Sequence, residues 1–255
     1  MGERTSYTPG TFSWVDLNTD DHEASKAFYA DLLGWTYNDI PIGDGVHYSM
    51  AQIDGHDVAA ITPMPPGTDV VHWNCYVTVD DADATAARAK ELGATLLAEP
   101  FDVFDSGRMA ILQDPQGAIL SVWQSRAHIG AGLVNVPGAL TWNDLVSPDV
   151  EASAGFYRDL FGWTIEETPG SEGQYWSITN EGKANGGILP MIPGGHPAWN
   201  LYFAVEDCDA AVARTGELGG GTVMGPMDIP NGSRFAILRD PQNAVFSVLS
   251  GPLDP

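Results

Sequence analysis

Pro9–Thr36, PGTFSWVDLNTDDHEASKAFYADLLGWT, and Pro137–Thr164, PGALTWNDLVSPDVEASAGFYRDLFGWT, align without a gap and share 16 of 28 residues. Unrelated segments of that length share about one or two, so the chain is an internal duplication and its fold is read as a repeat. The echo continues in order. Trp73-Asn74 returns as Trp199-Asn200, Arg108 as Arg234, Asp114-Pro115-Gln116 as Asp240-Pro241-Gln242, and Ser121-Val122 as Ser247-Val248. The offset narrows only from 128 (142 minus 14) to 126 (240 minus 114), so the loops of the two halves differ little.

Two near-equal halves of 255 residues give roughly 120 to 130 residues each, enough for each half to bury its own core. The 34 acidic and 11 basic residues leave a formal charge of -23. Such a surface repels nucleic acid and anionic membranes, so neither is expected as a partner. No apolar run reaches the roughly 18 residues of a membrane span. The opening MGERTSYTPG lacks the basic-then-apolar pattern of an export signal, and Glu3 argues against acylation at Gly2. Cys75 and Cys208 stand opposite Leu201 and Ala82 in the duplicate, so neither half carries a cysteine framework. A reduced, cytoplasmic setting is expected.

Each half reads as two smaller units of strand, helix and further strands. In the first unit Thr11–Leu17 is strand-like, Asp20 or Asp21 caps a helix carrying Ala24, Ala27, Phe28 and Leu32, and Gly34 ends it. Strands follow at 35–38, 48–53 and 58–64, with turns in Pro41-Ile42-Gly43-Asp44-Gly45 and at Asp54-Gly55. The second unit repeats the order with a strand at 72–79, a helix at 82–92 and strands at 95–98, 108–112 and 118–123. The tract Gln124–Gly138 interrupts both periodicities. Domains are therefore expected at 9–126 and 137–250, with a linker at 127–136.

Alternation assigns strand faces. Trp73, Cys75, Val77 and Val79, like Trp199, Leu201, Phe203 and Val205, form an apolar face expected to pack on helices. The opposite face carries His72, Asn74, Tyr76 and Ser121 in one half and Ala198, Asn200, Tyr202 and Ser247 in the other. That lining suits a concavity open to a ligand.

The twofold order of modules in each half, the helix endings Phe28-Tyr29 to Gly34-Trp35 and Phe156-Tyr157 to Gly162-Trp163, and the turn Asp114-Pro115-Gln116-Gly117 resemble the vicinal oxygen chelate superfamily of glyoxalases, bleomycin-resistance proteins and extradiol dioxygenases. The likeness spans about residues 9–250 and is nearest to tandem actinobacterial members labelled glyoxalase-like or hydroxylase. It implies an α+β fold of two tandem domains, each with two βαβββ modules forming a cupped mixed sheet and helices on the convex side. Metal-dependent members draw His and Glu ligands from four strand positions. By the resemblance these fall at Trp14, about Ala60, Asn74 and Ser121, and at Trp142, about Gly187, Asn200 and Ser247. None is a His or carboxylate, so no family-type metal is expected in either half.

Trp14 and Trp142 either stack on an aromatic ligand or fill the vacated metal space. Asp16 and Asp144, two residues on and so on the same face, orient a ligand hydroxyl or act as a base when desolvated, or else tie a strand end to a loop. Asn74 and Asn200 sit centrally and both donate and accept. His72 has Ala198 as its partner, so catalysis through it would favour the first half, with a satisfied surface histidine as the plain alternative. Tyr76 and Tyr202 are repeated phenols readable as lining or core. Arg108 and Arg234 either bind an anionic group or pair with the abundant carboxylates.

The leading expectation is a metal-free protein that holds a small aromatic or polycyclic metabolite in one or both clefts, for sequestration, resistance or support of an oxidative step. The alternative is a lyase, isomerase or dioxygenase using a relocated Zn, Ni, Fe or Mn ion on His47, His56 or His72 with nearby aspartates. A third reading is an interaction protein with vestigial clefts. The assembly is expected to be a monomer with an internal pseudo-dimer, or a homodimer.

Overall fold

The computed structural model describes residues 2–65, 67–68 and 70–252. In the first half β1 (Phe12–Thr19), α1 (His22–Leu33), β2 (Thr36–Gly43), β3 (Val46–Ile53) and β4 (His56–Pro63) are followed by β5 (His72–Thr78), α2 (Ala82–Glu91), β6 (Thr95–Val103), β7 (Gly107–Gln113) and β8 (Ile119–Ser125). The second half repeats this with β9 (Leu140–Ser147), α3 (Val150–Phe161), β10 (Thr164–Glu167), β11 (Trp176–Asn180), β12 (Lys183–Pro190), β13 (Ala198–Ala204), α4 (Cys208–Glu217), β14 (Gly221–Asp228), β15 (Arg234–Arg239) and β16 (Val245–Ser250). The strands form two mixed eight-stranded sheets, ordered β2-β3-β4-β1-β5-β8-β7-β6 and β10-β11-β12-β9-β13-β16-β15-β14. This is the α+β architecture of two tandem domains, each built from two βαβββ modules.

Local chemistry sets the helix ends. The Asp21 carboxylate accepts from the Ala24 N–H at the start of α1, and Gly34 closes it in the left-handed conformation; Asp149 and Gly162 do the same for α3. Two strands outrun the sequence reading. Pro41, Ile42 and Gly43 belong to β2, and β6 continues through Pro100 to Val103. Both strands lie at sheet edges, where the N–H that proline lacks is not needed by a neighbour. The turn after β2 shrinks to Asp44-Gly45, both with positive φ.

The apolar faces do not pack on helices alone. The central strands also meet across the molecule: Cys75 Sγ of β5 lies 3.9 Å from Trp199 O of β13 and accepts from Asn143 Nδ2 of β9 at 3.4 Å, and Phe12 of β1 lies 4.9 Å from Trp199, ring centre to ring centre. The halves therefore share one continuous hydrophobic core instead of burying two separate ones. Their junction follows a pseudo-twofold pattern. The Tyr29 hydroxyl donates to Asp240 Oδ2 (3.0 Å) and the Tyr157 hydroxyl to Asp114 Oδ2 (2.9 Å). Trp35 Nε1 donates to Gly138 O (2.8 Å) and Trp163 Nε1 to Gly10 O (2.7 Å). Residues that read from sequence as helix endings and turns are thus also contacts that join the domains.

Candidate ligand-binding cups

With the convex faces joined, the concave faces point outward as two cups. In the first, β1 pairs β4 and β5 so that Asp16 lies opposite Ala60 and Asn74, while Trp14 lies opposite Tyr76 and Tyr76 opposite Ser121. Asp16 is buried, and its carboxylate collects donors: Asn74 Nδ2 (2.8 Å), the Tyr76 hydroxyl (2.9 Å) and the Tyr48 hydroxyl (3.0 Å). Trp14 Nε1 donates to the Tyr48 hydroxyl at 3.0 Å. Desolvation pushes the Asp16 carboxyl above its ordinary range, against these hydrogen bonds and the nearby His72. Burial, then the Asp16 charge, pushes the Tyr48 and Tyr76 phenols well up.

The second cup repeats the cluster with one rearrangement. Asp144 Oδ1 accepts from Trp142 Nε1 (2.9 Å) and the Tyr175 hydroxyl (2.8 Å), and the nearby Tyr202 phenol also favours its ionised form. Gly187, opposite Asp144, explains the tighter geometry: a Cβ there would lie 2.1 Å from the Tyr175 hydroxyl oxygen and 2.6 Å from Asp144 Oδ1. Burial again raises the Asp144 carboxyl. The Ser121 and Ser247 hydroxyls lie beside the Tyr76 and Tyr202 phenols, near enough to favour ionisation slightly but outside hydrogen-bond geometry.

The cups differ in access. Trp14, only 4% exposed, belongs to a buried cluster with Met50, Tyr76, Met109 and Trp123, closed from above by Ala131 and Val134. The segment after β8 forms this cover. Trp123 Nε1 donates to His128 O (2.9 Å), the His128 ring meets Trp14 edge-on at 4.5 Å, and Ala131 N donates to Ser13 O (2.7 Å). Gly130, at φ +108°, lets the chain approach β1, since a Cβ there would sit 2.4 Å from Ser13 O. The N-terminal arm holds the cover down through the Tyr7 hydroxyl to Ala131 O (2.6 Å) and Arg4 N to Gly132 O (3.0 Å). Trp14 is thus packed on its faces and edge by the chain's own residues.

Trp142 stays partly exposed, as do Phe235 and Leu249, whose counterparts Met109 and Trp123 are buried; Asn74 and Asn200 are alike partly exposed. His72, the reason to look first to the other half, bonds Val70 O through Nδ1 (2.7 Å) at the end of β5. Arg108 and Arg234 are both engaged by carboxylates. Arg108 pairs with Asp83 (2.5 Å) and Asp102 (3.0 Å), and Arg234 with Asp209 (2.8 Å) and Asp228 (2.7 Å), each tying a helix to an edge hairpin. Sequence reasoning undervalued Tyr48 and Tyr175, whose repetition at matching places two strands from the aspartates was the available signal. It missed His128 and Phe235, which have no counterpart of like chemistry in the other half. Two surface depressions, of about 340 and 280 Å³, lie by α4 and α2, away from both cups.

The donor set does not fit a divalent ion. The four strand positions hold Trp, Ala or Gly, Asn and Ser, and the nearby carboxylates already face N–H and O–H hydrogens. Among the described residues no three His, Cys, Asp or Glu side chains are grouped as an ion would require. No helix among them is long and apolar enough to cross a membrane.

The sequence profile of the Glyoxalase/Bleomycin resistance protein/Dioxygenase superfamily matches residues 11–122 and 139–248. CFP32 of Mycobacterium tuberculosis, provisionally named a glyoxylase, is 43% identical over 98% of both chains. The anthracycline biosynthesis protein DauV of Streptomyces sp. is 36% identical over 96% of this chain and 94% of its own. Among solved structures, the Mn(II)-bound glyoxalase of Novosphingobium aromaticivorans superposes with a TM-score of 0.67 at 20% identity, covering 98% of this chain and 83% of that one. The 2,3-dioxygenase LapB of Pseudomonas sp. KL28 gives 0.68 at 14% identity, covering 98% and 96%. Matched in both halves and related along nearly its whole length, the chain belongs to the glyoxalase/bleomycin resistance protein/dioxygenase superfamily.

Proposed function

We propose that this protein binds a small aromatic or polycyclic metabolite without a family-type metal, to sequester it or to present it to an oxidative enzyme. One observation carries the reading. Where metal-dependent relatives need ligands, this chain places tryptophan and asparagine around a carboxylate whose oxygens already accept from phenols, indole or amide. Aromatic surface with a neutral amide suits a flat ligand with a carbonyl or hydroxyl edge. The name of the Streptomyces relative, an anthracycline biosynthesis protein, supports a polycyclic ligand. The unpaired buried cysteines agree with a cytoplasmic setting. The internal pseudo-dimer makes a monomer the simplest assembly.

Native mass spectrometry of the protein purified without chelator or added metal, followed by titration with quinizarin, a dihydroxyanthraquinone, tests this. A metal-free mass and quinizarin binding unchanged by EDTA are expected. A near-stoichiometric transition-metal adduct, or turnover that starts only on adding Mn(II), would replace this reading with a metalloenzyme.

A further inference from the structure

We propose that the chain takes one ligand, in the second cup alone: a planar, uncharged or cationic aromatic molecule whose carbonyl or hydroxyl edge meets the Asn200 amide. This rests on the aromatic-binder reading and adds which cup is used, which group anchors the ligand and what charge it carries.

Duplicated positions make the comparison internal. Asn74 is committed, giving Nδ2 to Asp16 at 2.8 Å, whereas the Asn200 side chain has no hydrogen-bond partner among the described residues although it holds the same place opposite Asp144. The tighter bonding of Trp142 and Tyr175 to Asp144, permitted by Gly187, takes the place of that amide bond. An amide released in this way offers a donor and an acceptor at the cup floor. The lining side chains change as well. Leu249 stands where Trp123 fills the first cup and Ser177 where Met50 does, while Phe235 replaces flexible Met109 with a flat ring. Trp142 and Phe235 then supply aromatic surface on β9 and β15, on either side of β13, which carries Asn200.

The first cup has lost its volume to its own chain. Ala131 and Val134 are buried against Trp14, and the N-terminal arm pins that cover. Charge narrows the ligand class. The net charge of -23 disfavours an anion, and Arg234, the repeated cation nearest the second cup by strand, is engaged by Asp209 and Asp228.

The test has two arms, both on the full chain. Hydroxyl-radical footprinting without ligand, read by peptide mass spectrometry, should oxidise Trp142 several-fold faster than Trp14. Equal rates overturn the proposal whatever binds. Calorimetric titration with quinizarin should give one site, weakened about tenfold by Asn200→Leu, the loss of one hydrogen bond of ordinary strength. Leu249→Trp, which restores the residue that fills the other cup, should weaken it at least as much. Two equivalents bound, or affinity unchanged in both variants, overturns the proposal. No binding at all, with Trp142 still the faster to oxidise, overturns the aromatic-ligand reading while supporting the difference in access between the cups.

Discussion

The Tyr29 hydroxyl reaches out of its own domain and donates to Asp240 Oδ2 at 3.0 Å, inside the buried seam between the two halves. Asp240 also accepts the Gln242 and Ala244 N–H groups, so its carboxylate organises a turn of the second half while receiving a phenol from the first. Tyr157 and Asp114 mirror the arrangement.

Removing one partner of a buried, charge-assisted bond of this kind costs about 1.5 to 3 kcal/mol, so Tyr29→Phe should lower unfolding stability by that amount. With Tyr157→Phe the loss should roughly add, because the two bonds share no partner. Urea denaturation should retain a single transition in both variants, as a shared core requires. Separate transitions for the halves would show that the seam does not couple them.

A carboxyl with a raised folded-state pKa stabilises the fold below its unfolded value and loses that contribution as pH rises through the folded value. Asp144 is such a group. Going up from about pH 4, the ordinary aspartate value, its contribution should fall until it is ionised in the folded protein. Asp144→Asn removes the titration, so the variant should gain stability relative to the parent with rising pH. Exposed Asp83 and Asp102, lowered by their hydrogen bonds to arginine, have the opposite sign and lose their contribution as pH falls. Comparing urea midpoints of parent and variant from pH 4.5 to 8 isolates the Asp144 contribution; parallel curves would contradict it.

Trp14 and Trp142 should separate stability from binding. Trp14 is buried among Met50, Tyr76, Met109 and Trp123. Emptying that site should cost about 3 to 5 kcal/mol. The partly exposed Trp142 should cost less than half as much on truncation while sharply weakening quinizarin binding. Thermal melts and titrations on the same preparations decide between these roles.

Gly187 tests the rearranged cluster. Gly187→Ala places a methyl against the Tyr175 hydroxyl and Asp144, and overpacking of this type costs about 1 to 3 kcal/mol. Ala60→Gly at the matching position should cost only about 0.5 to 1 kcal/mol. Denaturation midpoints check both, and equal effects would mean that Tyr175 relaxes freely.

Much of the fold was legible because the sequence states it twice. Repeated Asp caps and Gly stops mark α1 and α3, and alternation at Trp73-Asn74 and Trp199-Asn200 separates core face from concave face. The edge strands ran past Pro41 and Pro100 because a proline breaks a ladder only where a neighbour needs its N–H. The aspartate clusters were partly legible: Trp14, Asp16, Asn74 and Tyr76 do converge. The cover on the first cup was not, since His128, Gly130 and Ala131 belong to a tract that reads as a plain connection. Its role depends on the approach of Gly130 to Ser13, a tertiary contact with no periodic signature.

The reciprocal bonds of Trp35 to Gly138 and Trp163 to Gly10 describe a fused pair of once-identical subunits. In a true homodimer any change to one cup appears in both, so a substitution that favours a ligand but weakens the fold is suffered twice. Fusion ends that obligation. The seam remains symmetric because each half completes the other, while the cups are free to diverge, Trp14 being buried beneath its cover and Trp142 staying partly exposed.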